Sequence, residues 1–261
     1  MAESRSRVVS SFTIIKGSLI DETYAIFQDW DFSLTRTENL RRVREENTIG
    51  TSSTHWARDV AKVLNRRFDP DGRDRPLVEL AKAGCDRDIW KPILLWHMTR
   101  DEFLVRDFLA HWLYQQYRDG VFRLHTEDVT DYLKSLKNKK GIEWSGSWSD
   151  ATTARVAVGL LRIATDFGLL RGTQSREFES YHLREESVLY LLHAMMDDQH
   201  NACRVIDSDD WHMYLMDAAD VERELLRLHQ FHKVQYEMAG SLAQLTLPYG
   251  SSADFARELC A

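Results

Sequence analysis

The chain has 261 residues, 43% hydrophobic and 29% charged, with only 4 prolines and 12 glycines; these are the proportions of a globular protein and exclude a disordered or turn-rich all-β chain. No apolar run approaches the roughly 18 residues that span a bilayer, Pro92 to Met98 coming nearest, and the start Met1-Ala-Glu-Ser-Arg-Ser-Arg7 lacks the apolar core of a secretory signal. Cys85, Cys203 and Cys260 are scattered, as suits a reducing compartment, so a cytoplasmic protein without a membrane partner is expected.

Residues 1–16 read as a loosely ordered N-terminus. Apolar periodicity predicts a helix from Leu19 to Trp30 and another from about Thr37 to Glu46, with Arg41, Arg42 and Arg44 facing outward. The turn Gly50-Thr-Ser-Ser caps a third helix, which buries Trp56, Val60, Val63, Leu64 and Phe68 and presents Arg58, Lys62, Arg66 and Arg67. A loop at Asp69-Pro-Asp-Gly-Arg-Asp-Arg-Pro76 precedes two shorter helices, Leu77 to Ala83 and Arg87 to Met98. Thr99-Arg-Asp-Glu102 reads as a capping box before a long aromatic helix, Phe103 to Tyr117, expected to be the central pillar. Thr126 caps a helix ending in a basic knot, Lys134, Lys137, Lys139 and Lys140, whose lysines also suit the helix dipole.

From Trp144 to Leu183 the pattern is a polar lead-in, an amphipathic helix and a hairpin. Ser149 is an N-cap and Gly168 stands where a left-handed residue ends the helix. Ala157, Leu160, Leu161, Ala164 and Phe167 share one side; Thr152, Arg155, Gly159, Arg162 and Asp166 form the opposite stripe. Gly172-Thr-Gln-Ser175 is the predicted turn between Leu169-Leu170 and Phe178-Tyr181-Leu183. A helix followed at once by a hairpin is the order of winged-helix modules, in which the helix enters a major groove; many small α+β domains share it without touching DNA. Trp144 and Trp148 are read as bracing the lead-in. A helix from Glu185 to Asp197, one or two helices within 209–227, a hairpin within 231–247 and a short helical stretch from Ser251 complete the chain.

Net charge is −7, but it is unevenly spread: +2 over residues 1–140 and −9 over 141–261. Residues 41–67 hold seven basic and three acidic side chains, while 185–224 holds 11 acids against Arg204 and Arg223 alone. Arg41, Arg42, Arg44, Arg58, Lys62, Arg66 and Arg67 are candidate phosphate ligands, because successive helical turns array cations along a nucleic-acid backbone; a merely solvated face is the competing reading.

Phosphate-loop, nucleophile-elbow, His-Glu-x-x-His and Cys-x-x-Cys motifs are absent. His193, His200 and Cys203 match no zinc spacing, and His229 and His232 have no evident acid partner. No metal, cofactor or catalytic residue is assigned, and an enzyme such as a nuclease is the least favoured class.

The aromatic helix Phe103 to Tyr117, the capped helix Thr126 to Leu136 and the run Trp148-Ser-x-x-Thr152-Thr153 through Leu161 and Asp166 to Gly168-Leu-Leu170 together resemble the BrxA proteins of BREX bacteriophage-exclusion systems. The helix led by Gly17-Ser-Leu-Ile20, the one ending near Asn47-Thr-Ile-Gly50 and the one ending Arg66-Arg67-Phe68 extend the resemblance over residues 14–195. It implies a mostly helical, non-catalytic protein that binds double-stranded DNA within a multi-protein defence system.

The expected fold is therefore mainly α: a helical bundle over 17–140, then a winged-helix-like region with small hairpins and an acidic extension over 141–261. DNA would be held by the front-half arginines and Lys62, by Lys134, Lys137, Lys139 and Lys140, and by Thr152, Arg155 and Arg162. The alternative is an adaptor that docks other BREX proteins through 185–224 and does not bind DNA.

Overall fold

The computed structural model describes residues 8–137, 141–144, 146–240 and 242–259; Lys139 and Lys140 lie outside them. Strand β1 (Val8–Val9) leads into helices α1 (Phe12–Lys16), α2 (Ile20–Gln28), α3 (Arg36–Glu45), α4 (Thr54–Arg67), α5 (Arg75–Lys82) and α6 (Arg87–Met98). Helix α7 (Phe103–Asp107) runs through a π-helical stretch, Phe108–Leu113, into α8 (Tyr114–Arg118). There follow α9 (Thr126–Leu136), β2 (Glu143–Trp144), α10 (Asp150–Asp166), the strands β3 (Leu170–Arg171) and β4 (Glu177–Phe178), α11 (Glu185–Gln199) and α12 (Ala202–Ile206). A 3-10 turn at Asp209–Tyr214, α13 (Ala218–Gln230), the hairpin β5 (Gln235–Ala239) and β6 (Leu242–Thr246), and α14 (Ser252–Leu259) close the chain. The protein is mostly helical, as its composition and periodicity predict.

The centre of the core is α6. Every residue from Pro92 to Met98 is buried, and the Trp90 indole donates to the Leu77 carbonyl at 3.0 Å. A helix apolar on all sides can only be satisfied by neighbours on all sides. The expected pillar beginning at Phe103 buries Leu104, Val105, Phe108, Leu109 and Leu113 but leaves Tyr117 exposed. The capping box expected at Thr99–Glu102 is not formed. The Thr99 hydroxyl donates to the Trp96 carbonyl at 3.0 Å, and Glu102 turns inward.

Residues 8–16, expected to be loose, are built into the core. Val8 and Val9 pair in parallel with Glu143 and Trp144, and α1 packs on α10 with Thr13 and Ile14 fully buried. So short a segment has little order of its own; it is held by partners distant in sequence.

Helix α10 follows its sequence signals. Ser149 Oγ accepts from the Thr152 N–H at 3.2 Å, and at the other end Gly168 (φ 81°) lets the Leu169 N–H reach the Ala164 carbonyl at 2.9 Å. Its apolar side, Ala157, Leu160, Leu161, Ala164 and Phe167, is wholly buried. Strands β3 and β4 pair antiparallel in the register Leu170↔Phe178, with Gly172 at φ 97° in a turn where a Cβ would stand 2.3 Å from the Ser175 carbonyl oxygen. An antiparallel bridge, Leu124↔Arg176, ties this pair to the entry of α9, and α9 packs on α10. Trp144 and Trp148 meet edge to face at 4.8 Å and pack against the core beside that unit.

The C-terminal part is continuous with the same core. Helix α14 packs on α5 and α11, with Phe255 and Ala256 buried. His193 on α11 donates through Nδ1 to the Leu189 carbonyl (2.7 Å), accepts from the Tyr249 N–H (3.4 Å) and stacks on Phe255 at 4.9 Å. Burial holds its imidazole below the usual value. His229 Nδ1 accepts from the Tyr236 N–H at 3.0 Å, joining α13 to the hairpin. Both histidines serve packing and backbone satisfaction.

Candidate nucleic-acid interface

Helix α4 carries the clearest row of exposed cations. Ser53 caps it, accepting from the Trp56 N–H at 3.2 Å, and Ala57, Val60, Ala61, Val63 and Leu64 turn inward. That leaves Arg58, Lys62 and Arg66, at i, i+4 and i+8, on one exposed line. At 1.5 Å per residue the row is about 12 Å long. None of the three has an ion-pair partner among the described residues. The C-terminal end of α4 is closed by Arg36, whose guanidinium donates to the Asn65 and Phe68 carbonyls.

The arginines of α3 are less free. Arg41 pairs with Glu45 at 3.6 Å, and Arg42 is held by Asp29 at 3.0 Å and Glu46 at 3.2 Å. Arg44 is exposed without an ion pair among the described residues. On α9, Lys134 pairs with Asp131 at 3.1 Å, whereas Lys137 is exposed and unpaired among the described residues.

Arg67 is not a phosphate ligand. It is completely buried: Nε donates to Glu102 Oε1 at 3.2 Å, and the terminal nitrogens donate to the carbonyls of Ser18 (3.0 Å), Thr13 (3.0 Å) and Gly17 (2.9 Å). Glu102 accepts a further bond, 2.8 Å long, from the Thr13 hydroxyl. One guanidinium thereby satisfies the carbonyls at the end of α1 and the carboxylate that neutralises it. Desolvation lowers the Arg67 pKa, opposed by Glu102. The reason for the difference from Arg66 is one helical step: 60, 63, 64 and 67 form the i, i+3, i+4, i+7 face that packs inward. This spacing was the signal that assigns Arg67 to the core.

The outward stripe of α10 is also altered by its surroundings. Thr152 and Ser149 hydroxyls lie 3.1 Å apart within the cap. Arg155 is exposed without an ion pair among the described residues, and Arg162 reaches Asp166 only at 3.9 Å. Between them Gly159 is buried under α1, where a Cβ would stand 2.8 Å from the Ile14 carbonyl oxygen. The absent side chain makes room for α1, so the middle of the stripe is not a free helix face.

Much of the acidic 185–224 segment finds its cations within the chain. Arg100 pairs with Asp198 (3.1 Å), Arg106 with Asp210 (2.7 Å) and Arg118 with Asp217 (3.0 Å), while Arg227 reaches both Glu185 (3.1 Å) and Glu224 (2.6 Å). Glu186, Asp207 and Glu222 have no ion pair among the described residues.

Sequence reasoning passed over a second buried network. His97 Nδ1 lies 2.6 Å from Asp74 Oδ1 and its Nε2 2.8 Å from the Tyr190 hydroxyl. Asp74 also accepts from the Asp69 N–H at 2.7 Å. With all three side chains buried, the network joins the start of α5 to α6 and α11, and Asp74 Oδ2 meets the partly exposed Arg73 Nε at 3.7 Å. Among the described residues no helix is long and apolar enough to cross a membrane, and no cluster of His, Cys, Asp and Glu is arranged to hold a metal ion.

The molecule thus belongs to the mainly helical proteins with a helix-and-hairpin unit set into a common core. The crystal structure of an uncharacterized protein from Magnetospirillum magneticum shares the fold, with a TM-score of 0.60 at 16% identity over 81% of this chain and all of the other. The BrxA family model matches residues 11–194, and the chain belongs to the BrxA family, components of BREX phage-exclusion systems. No curated protein matches it.

Proposed function

We propose that this BrxA-family protein binds double-stranded DNA as a non-catalytic component of BREX phage defence. The observation that carries the reading is the exposed, unpaired row Arg58, Lys62 and Arg66 on α4; Arg44 on α3 and Lys137 just after α9 are further exposed cations without an ion pair among the described residues. Cations without internal partners need not surrender an ion pair to reach a phosphate. Arg41, Arg42 and Lys134 contribute less, because their carboxylate neighbours must be displaced or remain beside the DNA. The helix–hairpin unit has the order of a winged helix, but α1 lies over the centre of α10, so contact is expected through the sugar–phosphate backbone, without base reading by that helix. A net charge of −7 makes the interaction local to this basic face and strongly sensitive to salt.

The test is a fluorescence-anisotropy titration of the full-length protein against a labelled duplex several helical turns long, repeated at rising salt. The expected result is binding that weakens linearly on logarithmic axes, with little change when the duplex sequence is scrambled. Absence of binding at low salt would overturn the reading and leave the adaptor role.

A further inference from the structure

We propose that the groove between α1 and α10 docks an acidic segment of a protein partner, one with an apolar side chain set between two carboxylates. The proposal is independent of the DNA reading and gives Arg155 and Arg162 a different task from the α4 row.

The groove encloses about 360 Å³, with Ile14, Ile15 and Val158 among its apolar lining and Arg155 and Arg162 along α10. Val158 is 45% exposed, and Phe12 stands exposed on α1. The two arginines are seven residues, close to two turns, apart, so their backbone positions are separated by about 10 Å. Arg155 has no ion pair among the described residues, and Arg162, 71% exposed, has only the long contact to Asp166.

This is a poor surface for a duplex and a good one for a peptide. Gly159 is filled by Ile14, so α10 cannot present an unbroken face to a groove. Phosphates on the arginines would leave Ile15 and Val158 facing a charged, hydrated backbone. An apolar patch between arginines is instead the composition of a protein interface core. Charge complementarity selects the occupant: an extended segment advances about 3.3 Å per residue and turns every second side chain to the same face, so carboxylates four residues apart, about 13 Å, reach the two long, outward-leaning arginines and place the side chain midway between them over Val158. The floor is preorganised, because Arg67 bonds fix the end of α1 and the Ser18 hydroxyl donates to Asp166 at 2.6 Å.

The experiment titrates the full-length protein into a fluorescein-labelled heptapeptide with two glutamates four residues apart and a leucine midway between them. Saturable binding is expected, weakened at least tenfold by Arg155→Gln with Arg162→Gln and likewise when glutamine replaces glutamate in the peptide, with the salt slope for duplex DNA unchanged. Should the double variant fail to fold, Val158→Gln, at an exposed position, tests the same groove and is expected to weaken the peptide too. No saturable binding at millimolar protein, or binding indifferent to these changes, would overturn the proposal. So would a double variant whose duplex affinity and salt slope fall, since the face would then belong to nucleic acid.

Discussion

Arg67→Met is the sharpest single test of how the front half is built. The substitution keeps an unbranched side chain of moderate length but removes the ion pair to Glu102 and the donors that satisfy the Thr13, Gly17 and Ser18 carbonyls. Glu102, 5% exposed, would keep only the Thr13 hydroxyl as a partner. Breaking a buried pair from one side costs about 3–5 kcal/mol, because a charge is left buried without compensation. For a chain of this size that corresponds to a melting point lower by about 10 °C. The assay is urea unfolding followed by far-ultraviolet circular dichroism, with thermal melts alongside. Arg66→Met, one residue earlier but on the exposed line, is expected to leave the unfolding curve unchanged. Adding Glu102→Leu to Arg67→Met is expected to recover part of the loss, since the orphaned carboxylate is then gone. An Arg67→Met protein within about 1 kcal/mol of wild type would refute the clamp.

Two further outcomes follow from packing and titration. Gly159→Ala, although alanine favours helices, is expected to cost about 1–3 kcal/mol in the same urea assay, because its methyl meets the Ile14 carbonyl oxygen at 2.8 Å and Ile14 Cγ2 at 3.0 Å; unchanged or increased stability would show that α1 yields freely. Burial holds the His193 and His212 imidazoles below the ordinary histidine value of 6.5. The unfolded chain therefore takes up protons first, and their contribution to stability, complete above pH 6.5, is lost as pH falls from there through their lowered folded values. Unfolding at pH 7.5 and 5.5 is expected to show that loss, diminished in His193→Gln; an equal loss in the variant would exclude His193 as a source.

The elements that local chemistry specifies were legible. Ser149 and Gly168 bound α10, Ser53 opens α4, and the hairpin predicted within 231–247 is β5–β6. What sequence did not disclose depends on distant partners. The strand at Val8–Val9 exists because Glu143–Trp144 lies beside it. Glu102 sits three residues after Thr99, a spacing that fits a capping box, yet its partners are Arg67 and Thr13 from other elements. The candidate interface was half legible for the same reason. Arg58, Lys62 and Arg66 are exposed as their helical phase requires, whereas the pairing of Arg42 with Asp29, and of the acidic segment with Arg100, Arg106 and Arg118, is set by tertiary approach. Gly159, expected on the outward stripe of α10, instead lies under α1, because its missing side chain admits Ile14 from a distant part of the chain.

The central claim is that duplex DNA is held by the α4 row. The measurement that tests it most directly compares the salt dependence of duplex affinity for the wild type and for Arg58→Ala, Lys62→Ala and Arg66→Ala combined, after their melts are shown to agree. With each cation engaging one phosphate at about 0.9 in slope, the account predicts a logarithmic salt slope shallower by about 2.7, with weaker binding at every salt concentration. An unchanged slope and affinity in the folded triple variant would contradict it.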